Sequence, residues 1–146
     1  MKAHRVLVTG SRDWSDAGTV WRALNDVRAS ALLGGHEIVV VHGACPTGAD
    51  AQTQHWADTA SQFTTRPIAE AHPAQGHPTE DFGPWPAAGP RRNAHMVSLG
   101  ANICLAFIGP CTSRRCRKPR PHPSHGATGC AQLAEQAGMP VRRWTA

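Results

Sequence analysis

Residues 5–14, RVLVTGSRDW, decide the fold. An apolar run stops at Gly10 and gives way at once to a polar turn, the pattern of a short buried strand followed by a loop. After it, Val20, Trp21, Leu24, Val27 and Ala31 recur at helical spacing. That predicts a helix from Ala17 to Leu33, capped by Ser15 or Asp16 and ended by Gly34-Gly35. Residues 37–42, EIVVVH, have the β-branched density of a central parallel strand, and residues 48–60 read as a second helix with Trp56 on its apolar face. A weaker strand is expected near 66–70, a helix over 90–99, a strand over 102–108, a helix over 128–137 and a last strand over 139–144. Two long loops, 71–88 and 109–126, interrupt the series.

Strands alternating with helices imply an α/β fold, a single Rossmann-like domain over 1–146. Its parallel sheet of about five strands carries helices on both faces, joined by right-handed crossovers. The length, 146 residues, and the hydrophobic fraction, 40%, suit one domain with its own core. No apolar run approaches the ~20 residues of a membrane span, and no signal-peptide pattern opens the chain, so a cytoplasmic protein without a membrane partner is expected. Lys and Arg number 15 against 10 Asp and Glu, a net +5. Arg114, Arg115, Arg117, Lys118 and Arg120 account for the whole excess, so the basic character belongs to one loop.

Ligands of such sheets bind beyond the carboxyl ends of the strands, where strand order reverses. The turns there are therefore the informative residues. Gly10, Ser11, Arg12 and Asp13 follow the first strand, and the forked Arg12 cation suits a phosphate. A plain turn with a surface arginine accounts for this composition equally well. Gly43, Thr47, Gly48 and Asp50 follow the second strand and could form an anion cradle at a helix start, although neither a Walker loop nor GxGxxG is present. Asp50 would repel a phosphate, which favours a capping role or a bond to a ribose hydroxyl. His42, at a strand end, reads as structural before catalytic. Gly89, Arg92 and Asn93 lie in AGPRRN, where arginines at a helix start oppose the macrodipole and invite an anion. Gly126 and Thr128 lie at the start of the final helix.

These stretches, VLVTGSRDW, VVHGACPTGADAQTQHWA, HPTEDFGPWPAAGPRRNAHMVSLGANICLAF and SHGATGCAQLAEQAGMPVRRW, resemble the SLOG superfamily of Rossmann-like nucleotide-binding proteins, in particular its YspA/YpsA-related branch. The resemblance covers nearly the whole chain in order. It implies a nucleotide or nucleotide-derived, ADP-ribose-like ligand held by the glycines, Ser11, Arg12, Asp13, Thr47, Asp50, Arg92, Asn93 and Thr128. Kinship with LOG phosphoribohydrolases implies N-glycosidic hydrolysis as one activity, with Asp13, Asp50 and Arg92 as catalytic candidates. Kinship with nucleotide-signal sensors implies binding without turnover. Kinship with DprA implies nucleic acid binding through residues 114–120. LOG enzymes carry a glutamate in Pro-Gly-Gly-x-Gly-Thr-x-x-Glu. Here the turn is SHGATGCAQ, and Glu135 is too far along the helix to replace it. That departure puts binding ahead of catalysis.

No cofactor is fixed by the sequence. Cys111, Cys116, His122, His125 and Cys130 follow C-x4-C-x5-H-x2-H-x4-C, and zinc accepts such ligands. The spacing lacks a tight C-x2-C knuckle, so free thiols in a solvated basic loop are the first expectation and a zinc clip the second. Cys104, in an apolar run, is expected to be a buried, inert thiol. A homodimer is compatible with this class of fold, but no interface is legible.

Overall fold

The structure is a computed structural model that describes residues 3–63, 68–76 and 81–146. Five parallel strands, β1 (His4–Gly10), β2 (Ile38–His42), β3 (Ala69–Ala71), β4 (Ile103–Ile108) and β5 (Val141–Thr145), form one sheet in the order β3-β2-β1-β4-β5. The first strand is thus the central one, and strand order reverses between β1 and β4. Four helices connect them: α1 (Ala17–Leu33), α2 (Gly48–Ala60), α3 (Ala88–Ser98) and α4 (His125–Gln136). This is the expected α/β Rossmann-like domain. No helix among the described residues is long and apolar enough to cross a membrane.

Alternation along the strands divides the core in two. Val6, Val8, Ile38, Val40, Leu105 and Phe107 face α1 and α2, where they meet Val20, Leu24 and Trp56. Leu7, Val41 and Cys104 face the other way, onto Met96 of α3 and Cys130 of α4. Phe107 is fully buried, 4.8 Å from the Trp144 ring centroid and 5.7 Å from that of Trp14. Truncating such a residue costs about 3–5 kcal/mol. Cys104 is fully buried, and burial pushes its thiol up to about 12, which leaves it inert as expected.

Helix α1 matches its expected bounds. Asp16 is the N-cap, accepting a bond from the Thr19 amide at 3.1 Å, and the chain turns away through Gly34 and Gly35. Two helices begin earlier than the sequence suggested. Helix α3 starts at Ala88, so Pro90 sits third in the first turn, where its missing N–H still leaves no bond unmade. Helix α4 starts at His125, not 128, because Ser124 in an extended conformation serves as the N-cap. Gly126 and Thr128 therefore lie inside the first turn, and the second loop shortens to 109–124. Strand β3 keeps only three residues; residues 66 and 67 of its expected span lie outside the described residues, as do residues 77–80 of the first loop.

Candidate functional site

The site is assembled where β1 and β4 part. Ser11 donates its amide to Phe107 O at 3.0 Å, and its carbonyl accepts the Trp14 amide at 3.1 Å, closing a tight turn. Trp14 is sunk into the core and donates from Nε1 to Asp16 O at 3.0 Å, while Gln52 Nε2 donates to Trp14 O at 2.8 Å. With both ends of the turn anchored, Arg12 and Asp13 are projected from its tip into solvent. Gly10 and Gly48 permit this closeness. A Cβ on Gly10 would collide with Ala49, and one on Gly48 (φ 69°) would meet Arg12 O at 2.6 Å and collide with Ser11 O.

On the other side of the crevice, Ser11 Oγ accepts the Gly109 amide at 2.8 Å and lies 2.6 Å from Ser124 Oγ. The first turn of α4 is thereby tied to the β1 turn. Thr112 donates its hydroxyl to Asp13. Gly126 opens onto free space, while Thr128 Oγ1 is shielded from solvent with no hydrogen-bond partner among the described residues. Arg12 has no anionic partner among the described residues. Its guanidinium carbon stands 5.4 Å from the ring centroid of Trp85, itself 48% exposed. Trp85 lies in the 71–88 stretch expected as a loop, outside the residues singled out there as site candidates. Its place in a Pro- and Gly-rich stretch, where a large exposed aromatic has little structural use, is the signal for a contact surface.

Arg92 is placed differently. Its Nη1 donates to Gly43 O at 2.5 Å and to His72 O at 3.3 Å, and its Nε to Asn93 Oδ1 at 2.8 Å. The helix-start conflict is thus answered by carbonyls at the ends of β2 and β3, and Gly43 lacks a side chain because a Cβ would lie 2.6 Å from that guanidinium. Arg91 likewise donates to Phe82 O at 3.3 Å. Burial pulls Arg92 below its ordinary value, with Asp50 acting against the pull. Asp50 is buried, and burial pushes its carboxyl up against the opposing effects of His42, the Cys45 amide and Arg92. It accepts the Cys45 amide at 3.2 Å, which fastens the turn before α2 rather than the helix's own first amides. Thr47 is the N-cap of α2 by position, without a side-chain capping bond. His42 accepts the Ala44 amide on Nδ1 at 3.0 Å, so Nε2 carries the proton and donates to Gln54 Oε1 at 2.7 Å. Both nitrogens are spent. Gly89 lies under Trp85, whose ring would be 3.0 Å from a Cβ there.

A cavity of about 640 Å³ opens beside α2, lined by His42, Cys45, Asp50, Gln54 and Asp58 among others. Among the described residues that line it there is no arginine or lysine, and it lies to the side of the β1/β4 crevice rather than in it.

The 109–124 loop and the first residue of α4 bring four of the five Cys and His candidates together. Ligand atoms of Cys111, Cys116, His122 and His125 all lie within 4.8 Å of one another. Cys130 is elsewhere, under β1 in the core with Met96 and Cys104. Five residues along one helix turn it about 140° from His125. Arg114, Arg115, Arg117 and Lys118 are exposed, whereas Arg120 donates to Cys111 O and Ser113 O within the loop.

Comparison with known proteins adds two matches. The family model described as the YspA, cpYpsA-related SLOG family matches residues 4–70, from β1 into β3. The Gene 61 protein of Mycobacterium phage D29 is 37% identical over 140 residues, covering 94% of this chain and 93% of that protein. No solved structure gives a significant match.

Proposed function

The chain belongs to the YspA, cpYpsA-related SLOG family, and from that premise we propose that it binds a small nucleotide or an ADP-ribose-like derivative in the β1/β4 crevice. One observation carries the reading: Arg12, unpaired among the described residues and held at the tip of an anchored turn, stands under the exposed Trp85 ring. A cation beside an aromatic face matches the two halves of such a ligand, with phosphate on the guanidinium and base on the indole. The open start of α4 at Gly126 adds amide donors on the same side. Gly10 and Gly48 allow the approach of the turns, and Arg92 holds the strand ends that frame them. Binding without turnover is favoured, because Asp50 is buried and no glutamate occupies the start of α4. Asp13, on the turn that carries Arg12, is the carboxylate available to a sugar if bond cleavage occurs.

The test is thermal unfolding with AMP, ADP-ribose and cyclic ADP-ribose. A ligand at 100 times its Kd adds about 2.7 kcal/mol and raises Tm by on the order of 5–10 °C. Arg12→Ala and Trp85→Ala should each abolish that rise while leaving the ligand-free Tm nearly unchanged. No rise with any of the three sinks the proposal. Chromatography of the incubated ligand separates a sensor, which returns it intact, from a hydrolase, which Asp13→Asn should then disable. Steeply salt-dependent binding of single-stranded DNA, lost on neutralising Arg114, Arg115, Arg117 and Lys118, would instead favour the nucleic acid reading.

A further inference from the structure

Residues 109–124 contain no Val, Leu, Ile, Met or aromatic residue, so the loop has almost no apolar material from which to build a core. It is nevertheless closed at its neck. The Cys111 amide donates to His122 O at 2.7 Å, the Ser124 amide to Gly109 O at 2.9 Å, and Pro110 and Pro123 form an antiparallel bridge. What fills the space inside that neck is a set of metal-binding atoms. Cys116 Sγ lies 3.3 Å from His122 Nε2 and 3.2 Å from His125 Nε2, with the 6%-exposed Cys111 alongside.

We propose that Cys111, Cys116, His122 and His125 form a structural zinc site that staples the 109–124 loop to the first turn of α4. Three observations support it. A tetrahedral zinc with bonds of about 2.3 Å to sulfur and 2.0–2.1 Å to nitrogen sets neighbouring ligand atoms about 3.3–3.8 Å apart, close to the two Cys116 distances. His122 is also oriented as a ligand should be. Its Nδ1 lies 2.8 Å from Pro119 O, a carbonyl that can only accept, so the proton is on Nδ1 and the Nε2 lone pair faces Cys116. Finally, the Nε2 atoms of both His122 and His125 converge on Cys116 Sγ, so that a cation at their common centre is within reach of all three.

The chemistry of the donor set fixes the class of metal and its role. Two thiolates and two neutral imidazoles suit zinc, and their charge cancels that of the ion, so little net charge is placed at the start of α4. All four positions are filled by protein, which leaves no open site for a bound water to react. The ion orders the loop and takes no part in bond cleavage.

The experiment uses the full chain, expressed with zinc and purified under reducing conditions without chelator. Elemental analysis should find one equivalent of zinc per chain. Replacement by cobalt(II) should give visible bands of tetrahedral intensity and a thiolate-to-cobalt charge-transfer band in the near ultraviolet. Cys116→Ser and His122→Ala should lose the metal, with circular dichroism confirming that the domain is still folded. Cys130→Ser and Cys45→Ser should keep it. The cobalt spectrum of the unaltered chain tests the site even if a variant fails to fold. Absence of zinc from the reduced, reconstituted chain would overturn the assignment. So would full retention by folded Cys116→Ser, or a cobalt spectrum without thiolate charge transfer. None of these readouts depends on nucleotide binding.

Discussion

Arg12 and Arg92 both stand at the carboxyl end of the sheet, yet the first is exposed under the Trp85 ring and the second is committed to Gly43 O and His72 O. Their replacement should separate accordingly. Arg92→Met leaves two carbonyls and the buried Asp50 without their cation and should lower unfolding stability by about 2–4 kcal/mol, measured in urea. Arg12→Ala should shift it by less than about 0.5 kcal/mol. Gly48→Ala forces a positive φ on an L-residue and drives its methyl into the Ser11 and Arg12 carbonyls, so a loss of about 2 kcal/mol or more is expected in the same assay. The bonding of Arg92 to strand-end carbonyls was not legible from its neighbours in sequence. PRRN looks like an anion site because the helix dipole disfavours cations there, and only the fold shows strand-end carbonyls within reach. Similarly, Ser124 and Thr112 are distant in sequence from the Ser11 and Asp13 they bond.

At the scale of elements, the short edge strand β3 is tied to the centre of the sheet by a charged bridge. Arg5 on β1 donates to both oxygens of Glu70 at 3.1 and 2.9 Å and to Gly100 O at 2.9 Å, while His72 Nε2 lies 2.9 Å from Glu70. The bond from Arg5, reinforced by His72, holds the Glu70 carboxyl at about 2 against an ordinary 4.5. A depressed folded pKa means stability that is present above pH 4.5 and lost as pH falls from there towards 2. Because Glu70 is 37% exposed, solvent screening reduces its worth to roughly 1–2 kcal/mol. Denaturation at pH 7 and pH 3 should show that loss in the unaltered chain and a smaller one in Glu70→Gln. The long, periodic elements were legible in sequence: α1 and α2 keep their expected bounds, because apolar spacing and glycine or aspartate punctuation agree there. Starts set by tertiary contacts were not. Helix α4 begins at His125 because the Ser124 hydroxyl turns to Ser11, a partner that no local pattern names.

Across the whole molecule, the strand order makes the first-formed strand wait for a late one. β1 pairs with β2 through Val6 and Val40, but its other side waits for β4, where Val6 meets Ile103. A fragment ending before residue 103 should keep helical circular dichroism yet bind a hydrophobic dye and lack a cooperative transition, since Leu105 and Phe107 are missing from the core. A reversible, cooperative transition in that fragment would show that the chain before residue 103 is a folding unit by itself. The arrangement also bears on the chain's birth. At usual synthesis rates the interval between Val6 and Ile103 leaving the ribosome is on the order of 5–20 s. Throughout it, the nascent β1 offers one unpaired, Val- and Leu-rich edge to any neighbour. The strand that later carries the turn of Arg12 is therefore, during translation, a segment whose open edge a chaperone would shield.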